Sequence, residues 1–151
     1  MSDRTPLPGE GGGSQTEDPA NRNQDHEERV DGGHANGYTE RVDVKTRAFS
    51  YNVASDCRLR HHHRRVGKTV VSFVVQLEVR HPRLGTWLAV VRYDTVHGFA
   101  HRDQLHPDGR QEKTPLPIGD DNQALNYAEA DLVDHWQTYR QRFLEEIAHE
   151  E

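Results

Sequence analysis

The densest group of side chains capable of chemistry lies within residues 92–109. These eighteen residues hold three histidines, three aspartates and two arginines. Histidine exchanges protons near neutral pH, aspartate can orient it, and arginine stabilises negative charge. An antiparallel hairpin over this stretch would bring Asp94 and His97 close to the following strand. On that strand His101 and Asp103, which are two residues apart, would share one face.

Acid–base catalysis is the first interpretation of this group. Two histidines would act as general acid and base, two aspartates would orient them, and the arginines would clamp a phosphate and stabilise an anionic transition state. That combination fits the cleavage of phosphodiester bonds in RNA, so RNA is a predicted partner. The predicted catalytic residues are His97, His101, Asp94, Asp103, Arg92 and Arg102.

Metal binding is the second interpretation. Three of the histidines and one aspartate would coordinate a divalent ion, with the ligands drawn from His97, His101, His106 and Asp94. The spacing His-x3-His-x4-His is not a standard zinc pattern. The sequence therefore predicts no metal and no cofactor.

A purely structural role is the third interpretation, and the residues leave it open beside the other two. Alternate positions in the predicted strand combine apolar and polar types, namely Phe99, His101, Asp103 and Leu105. This shared parity would place the His–Asp pair on the buried face of a sheet. A buried pair that satisfies its own hydrogen bonds explains such residues as well as an active site does.

The charge of the chain is unevenly distributed around a net value of −6. Residues 39–68 carry eight bases and three acids, whereas residues 119–151 carry two bases and nine acids. The basic segment includes the run Arg58–Arg65, with His61–His63 between arginines, and this run is interpreted as an exposed basic linker. It would contact either an anionic partner or the acidic C-terminal segment of the same chain.

Cys57 is the single cysteine, so no intramolecular disulfide can form and a reducing compartment is expected. The N-terminal residues are polar and lack the apolar core of a secretory signal. The longest apolar run is too short to cross a bilayer. These features predict a cytoplasmic protein without a membrane partner, and they leave its oligomeric state open.

Three regions are expected along the chain. Residues 1–38 are rich in glycine, proline and acidic residues, and such a composition predicts a disordered polar tail. Residues 39–68 are predicted to be the basic linker or short strands. Residues 69–149 are predicted to be a small α+β domain.

The α+β domain is predicted as an antiparallel meander of about four strands with one long C-terminal helix packed on one face. Strict alternation of apolar residues marks the first strand, at Val71, Phe73, Val75, Leu77 and Val79. A helical stripe follows at Ala128, Leu132, Trp136, Tyr139, Phe143 and Ile147. A capping box of Asn126 and Glu129 places the predicted helix start near Tyr127.

Residues 70–147 resemble a family of small archaeal and bacterial proteins known as a domain of unknown function. The matching residues are Phe73–Leu77, Val91–Asp94, His97–Phe99, His101–Asp103, His106–Gly109, Lys113 and Tyr127–Glu129. More weakly, Arg92, Tyr93 and Asp94 with His97 and His101 resemble the TumE-like toxins of toxin–antitoxin pairs. That second resemblance implies an RNA-directed nuclease toxin.

Two functions follow as expectations from the residues and the resemblance. The first is a toxin-like nuclease that uses the cluster of histidine, aspartate and arginine at the central hairpin. The alternative is a non-catalytic interaction module that binds a partner, such as an antitoxin-like protein, through its acidic helix or through the edge of its sheet.

Overall fold

A computed structural model describes the backbone of residues 24–31 and 41–150 of this chain. It contains one antiparallel sheet and one long helix. The elements are β1 (Gln24–Asp31), β2 (Arg41–Ala54), β3 (Cys57–Val66), β4 (Thr69–Arg80), β5 (Trp87–Asp94), β6 (His101–Leu105), β7 (Gln111–Pro115) and α1 (Asp121–His149). Each strand pairs with the next along the chain, so the sheet is a continuous meander.

The sheet is larger than the four strands expected from the sequence. Six strands run from β2 to β7, and β1 pairs with the other edge of β2 as a further strand. The segment left open as a basic linker or short strands forms the long hairpin of β2 and β3. The predicted tail, residues 1–38, lies outside the described residues except for β1.

Strand β3 was hard to recognise because histidine and arginine occupy positions where apolar residues are expected. Its inward positions are nevertheless regular, because Cys57, Leu59 and His61 are all buried. The intervening Arg58 and Arg60 point to the other side of the sheet. Buried and more exposed positions therefore still alternate along β3, although apolar and polar residue types do not.

Helix α1 packs on β4 and β5 and closes the core. Its buried residues are Ala124, Leu125, Ala128, Leu132, Phe143 and Ile147. They face the buried side chains Phe73, Val75, Leu77, Val79 and Tyr93 of the sheet. Each large apolar side chain that is buried in this way contributes about 1.5–3 kcal/mol. No helix in the described part of the chain is long and apolar enough to span a membrane.

The helix begins at Asp121, about two turns before the predicted start near Tyr127. Asp120 caps it by accepting hydrogen bonds from the backbone N–H groups of Asn122 and Gln123. The side chain of Asn122 also accepts from Val70 N at 2.9 Å, which ties the first turn to β4. The earlier start follows from this capping and from tertiary contact, which outweigh the capping box at Asn126.

The two faces of the sheet differ in character. Tyr93 donates its hydroxyl hydrogen to Asp131 on α1, so Tyr93 and its cross-strand partner Arg102 lie on the helix face. Because neighbouring residues of a strand point to opposite sides, Asp94 and its partner His101 lie on the other side, here named the outer face. The outer face is polar, and the helix does not cover it.

Candidate functional site

Three of the predicted catalytic residues meet on the outer face. Asp94 ends β5 and His101 begins β6, and the register pairs them directly. The Nε2 atom of His101 lies 2.8 Å from Oδ1 of Asp94 and 3.5 Å from Oδ2 of Asp103. Together these residues form the Asp–His–Asp cluster. It arises because a short loop joins two paired strands and because His101 and Asp103 share one face.

The Asp–His–Asp cluster is buried although it lies on the face away from the helix. Asp94 is 4% exposed, His101 1% and Asp103 3%. The rings of His97 and Phe99 lie against His101, with centroid distances of 5.6 and 5.9 Å. The loop between β5 and β6 therefore covers the imidazole.

The two carboxylates differ in how well they are satisfied. Asp94 Oδ1 is close to His101 and also accepts a hydrogen bond from Val96 N at 3.1 Å. Asp103 Oδ1 is buried and has no hydrogen-bond partner. The Nζ atom of Lys113 is 4.0 Å from it, which is an ion-pair distance and too long for a hydrogen bond. The cluster is consequently not a fully satisfied core pair.

His97 occupies the solvent-facing side of the cluster. It is exposed, and its ring stacks on that of His101 at an interplanar angle of 28°. Its loop is anchored at Thr95, whose backbone and hydroxyl group both bond to Phe73. Gly98 completes the turn with φ of 82°, a conformation that favours glycine. Of the two histidines predicted for acid–base catalysis, His97 is therefore the one exposed to solvent.

Arg92 also lies on the outer face, where the register sets it across from Asp103. Its Nε donates to Gln76 Oε1 at 2.7 Å. Gln76 in turn donates to Glu78, and Glu78 accepts from Arg58 at 2.6 Å. This chain of hydrogen bonds links three strands and leads from β3 towards the Asp–His–Asp cluster.

Arg102 and His106, in contrast, are not part of the cluster. Arg102 lies on the helix face, with its guanidinium group 5.2 Å from the ring centroid of Tyr139. The Nδ1 atom of His106 lies 2.9 Å from Glu146 of α1. The structure therefore separates Arg102 from the other predicted catalytic residues. It also separates His106 from the three residues with which it was considered as a metal ligand.

The helix face has polar groups of its own, arranged around Asp131. The hydroxyl groups of Tyr93 and Tyr139 donate to Asp131 Oδ2 at 2.6 and 2.7 Å. Burial, followed by the hydrogen bond to Asp131, raises the pKa of Tyr139 to about 12. The same causes raise the pKa of Tyr93. Both phenols are therefore neutral donors that join the helix to the sheet.

Two further residues that the sequence analysis noted, His61 and Cys57, are buried on the helix face. His61 lies 2.5 Å from Glu129 Oε1 of α1, and its Nε2 lies 2.6 Å from Nδ1 of His63. Burial lowers the pKa of His63. Cys57 is fully buried, and desolvation raises its pKa to about 12, which keeps the thiol protonated. Sequence reasoning missed the inward position of His61, although its parity with Cys57 and Leu59 would have indicated it.

Comparison with known proteins gives one family and no individual relative. No curated protein and no solved structure matches the chain. The family described as domain of unknown function DUF7718 matches residues 37–149. That range covers β2 to α1 and includes the outer face with its Asp–His–Asp cluster. The chain therefore belongs to the DUF7718 family, a domain of unknown function.

Proposed function

We propose that the outer face binds RNA and that the protein cleaves a phosphodiester bond beside His97, as a toxin-like nuclease. The observation that carries the proposal is the exposed His97 ring stacked on the buried pair of Asp94 and His101. An imidazole that solvent can reach is suited to exchange a proton with the 2′-hydroxyl or the leaving oxygen of a ribose–phosphate chain.

The buried residues would act through His97 and its loop. Asp94 binds the backbone of Val96, and His101 supports the ring of His97. These contacts limit the orientations open to His97, and a fixed orientation lowers the entropy that must be lost before reaction. Asp94, His101 and Asp103 are therefore proposed as positioning residues rather than as groups in contact with the RNA.

Cations of the outer face would hold the phosphates. Arg92 lies on β5 next to the cluster, and Arg60 and Lys113 lie on β3 and β7 with side chains 59% and 43% exposed. Exposed cations attract a nucleic-acid backbone without reading its sequence. Arg102 has no part in this function, because it lies on the helix face.

Cleavage assays with matched variants would test the proposal. Purified protein is incubated with end-labelled single-stranded RNA, and wild type is compared with His97→Ala and with His149→Ala. His149 is an exposed histidine at the end of α1 and serves as the control. Loss of a proton-transfer group slows such reactions by about 100-fold or more. Wild type and His149→Ala should cleave, whereas His97→Ala should be slower by that factor.

Two outcomes would overturn the nuclease proposal. One is the absence of RNA cleavage by the wild type, and the other is equal cleavage by wild type and His97→Ala. A growth assay gives a second measurement: expression of the wild type should slow growth and degrade cellular RNA. Expression of a His97→Ala, His101→Ala double variant should do neither.

A non-catalytic interaction module is the second candidate, and strand β7 favours it. Every residue of Gln111–Pro115 is exposed, and β7 is the last strand of the sheet. A partner segment, such as that of an antitoxin-like protein, would add as a further strand. A Gln111→Pro variant removes an N–H group that points away from β6 towards the free edge, and it should lose a co-purified partner that the wild type retains. Equal recovery of that partner with both proteins would exclude binding at this edge.

A further inference from the structure

We propose that Asp94, His101 and Asp103 bind one divalent transition-metal ion of the Zn²⁺ or Mn²⁺ type. Each residue offers one ligand atom, and the three atoms lie within 4.8 Å of one another. Ligands about 2.0–2.2 Å from a common ion are separated by about 3–4.4 Å. The three side chains need to move by only a few tenths of an ångström to reach such an arrangement.

The contacts of His101 place its Nε2 atom beside the two carboxylates. Its Nδ1 lies 3.4 Å from the backbone carbonyl oxygen of Phe99, and its Nε2 faces Asp94 and Asp103. In the metal-free protein, Nε2 is placed to donate to Asp94 at 2.8 Å. A bound ion would take the place of that proton, and Nδ1 would then carry the proton that the carbonyl of Phe99 accepts. Ligating histidines commonly use their second nitrogen in this way.

The unpaired oxygen of Asp103 is an independent indication of a ligand. It is buried and accepts no hydrogen bond, and Lys113 is 4.0 Å away. A buried carboxylate oxygen without a partner carries a substantial free-energy cost. A dication bound at this carboxylate, whose other oxygen, Oδ2, lies 3.5 Å from Nε2 of His101, would supply the missing partner of Oδ1. It would also offset the negative charge of the two buried carboxylates.

The donor set determines the class of metal. One imidazole nitrogen with two carboxylates suits zinc, manganese or ferrous iron, whereas calcium and magnesium prefer sites made entirely of oxygen. Three protein ligands leave a coordination position unfilled, as in catalytic zinc sites. The proposed site retains Asp94 and His101 from the ligands considered on sequence grounds and replaces His106 with Asp103.

This proposal goes beyond the proposed nuclease function and does not depend on it, because metal binding is measured without RNA. Untagged full-length protein is treated with a chelator and then titrated with ZnCl₂ and with MnCl₂ by calorimetry. Binding of one ion per chain is expected, with a rise in Tm on addition of metal. MgCl₂ and CaCl₂ at the same concentrations should leave Tm unchanged.

Four variants locate the ion. Asp103→Asn and His101→Gln should each weaken binding of the metal by about 10-fold or more, the loss typical of a disturbed metal site. Asp108→Asn changes an exposed carboxylate in the next turn and should bind as the wild type does. His62→Ala should also bind normally, which separates the proposed site from the exposed histidine of β3.

The proposal fails if the wild type binds neither Zn²⁺ nor Mn²⁺, or if Asp103→Asn binds both as tightly as the wild type. Circular dichroism of each variant checks that the fold is retained. Metal binding without RNA cleavage would overturn the nuclease proposal alone. RNA cleavage by a protein that binds neither metal would overturn the metal site alone.

Discussion

Replacement of Asp94 by alanine tests whether the Asp–His–Asp cluster also stabilises the fold. The carboxylate is 4% exposed and lies 2.8 Å from Nε2 of His101, which is 1% exposed. Alanine removes this partner and also the acceptor for the N–H group of Val96. A buried imidazole would then lose its nearest polar contact, and water would have little access to it.

The expected loss can be estimated from these contacts. Leaving a buried hydrogen-bonding group without its partner costs about 1–3 kcal/mol. Asp103 lies 3.5 Å from the same nitrogen and would replace part of the contact. Val96 is exposed, so water would satisfy its N–H group. We therefore expect Asp94→Ala to lower the free energy of unfolding by about 1–3 kcal/mol. At about 4 °C for each kcal/mol, Tm would fall by about 4–12 °C.

Urea denaturation of chelator-treated protein, followed by circular dichroism, measures this change. Asp94→Asn keeps an acceptor for Val96 and should cost less than the alanine variant, about 1 kcal/mol. Asp134→Ala removes an exposed carboxylate of α1 and should change stability by less than about 0.5 kcal/mol. The reasoning is refuted if Asp94→Ala destabilises the protein no more than Asp134→Ala does.

Three further predictions concern groups away from the cluster. Hydrogen bonding to Arg140 lowers the pKa of Asp56, so this pair stabilises the fold above the unfolded pKa of Asp and ceases to do so as pH falls through the lowered value. Asp56→Asn should cost about 1 kcal/mol near neutral pH and nothing in strong acid, as measured by urea melts at both pH values; an equal loss in acid would contradict this. Gly109→Ala should cost about 1–2 kcal/mol in a thermal melt, because φ is 92° and alanine is strained at that angle. A Cβ atom there meets nothing within 4 Å, so no steric clash adds to the cost. An unchanged Tm would show that the turn relaxes. Tyr139→Phe should remove one late step, near pH 12, from the alkaline absorbance titration, and retention of that step would assign it to another tyrosine.

The helix and the hairpin of β4 and β5 were predictable because their patterns are local. Ala128, Leu132, Phe143 and Ile147 recur at helical spacing, and all four are buried as that spacing predicts. The alternation that begins near Val71 likewise corresponds to β4. In both cases a few neighbouring residues contain the whole pattern, so no distant contact was needed to recognise it.

Strands β2 and β3 were less predictable because distant contacts determine which of their residues are buried. His61 is buried on the helix face, where it meets Glu129 of α1, 68 positions later in the sequence. Its neighbours His62 and Arg60 are exposed. A run of histidines and arginines carries no hydrophobic alternation, so its strand character appears only when its partners are in place.

The sequence by itself determined that Asp94, His101 and Asp103 would be neighbours, because a hairpin brings residues on either side of a short loop together. It did not determine on which side of the sheet they would lie. The docking of α1 decided that, since the helix contacts Tyr93 and Arg102 and leaves the alternate residues on the outer face. Which residues of a strand share a face is a local property of that strand. Which of the two faces the helix covers depends on contacts between residues far apart in the chain.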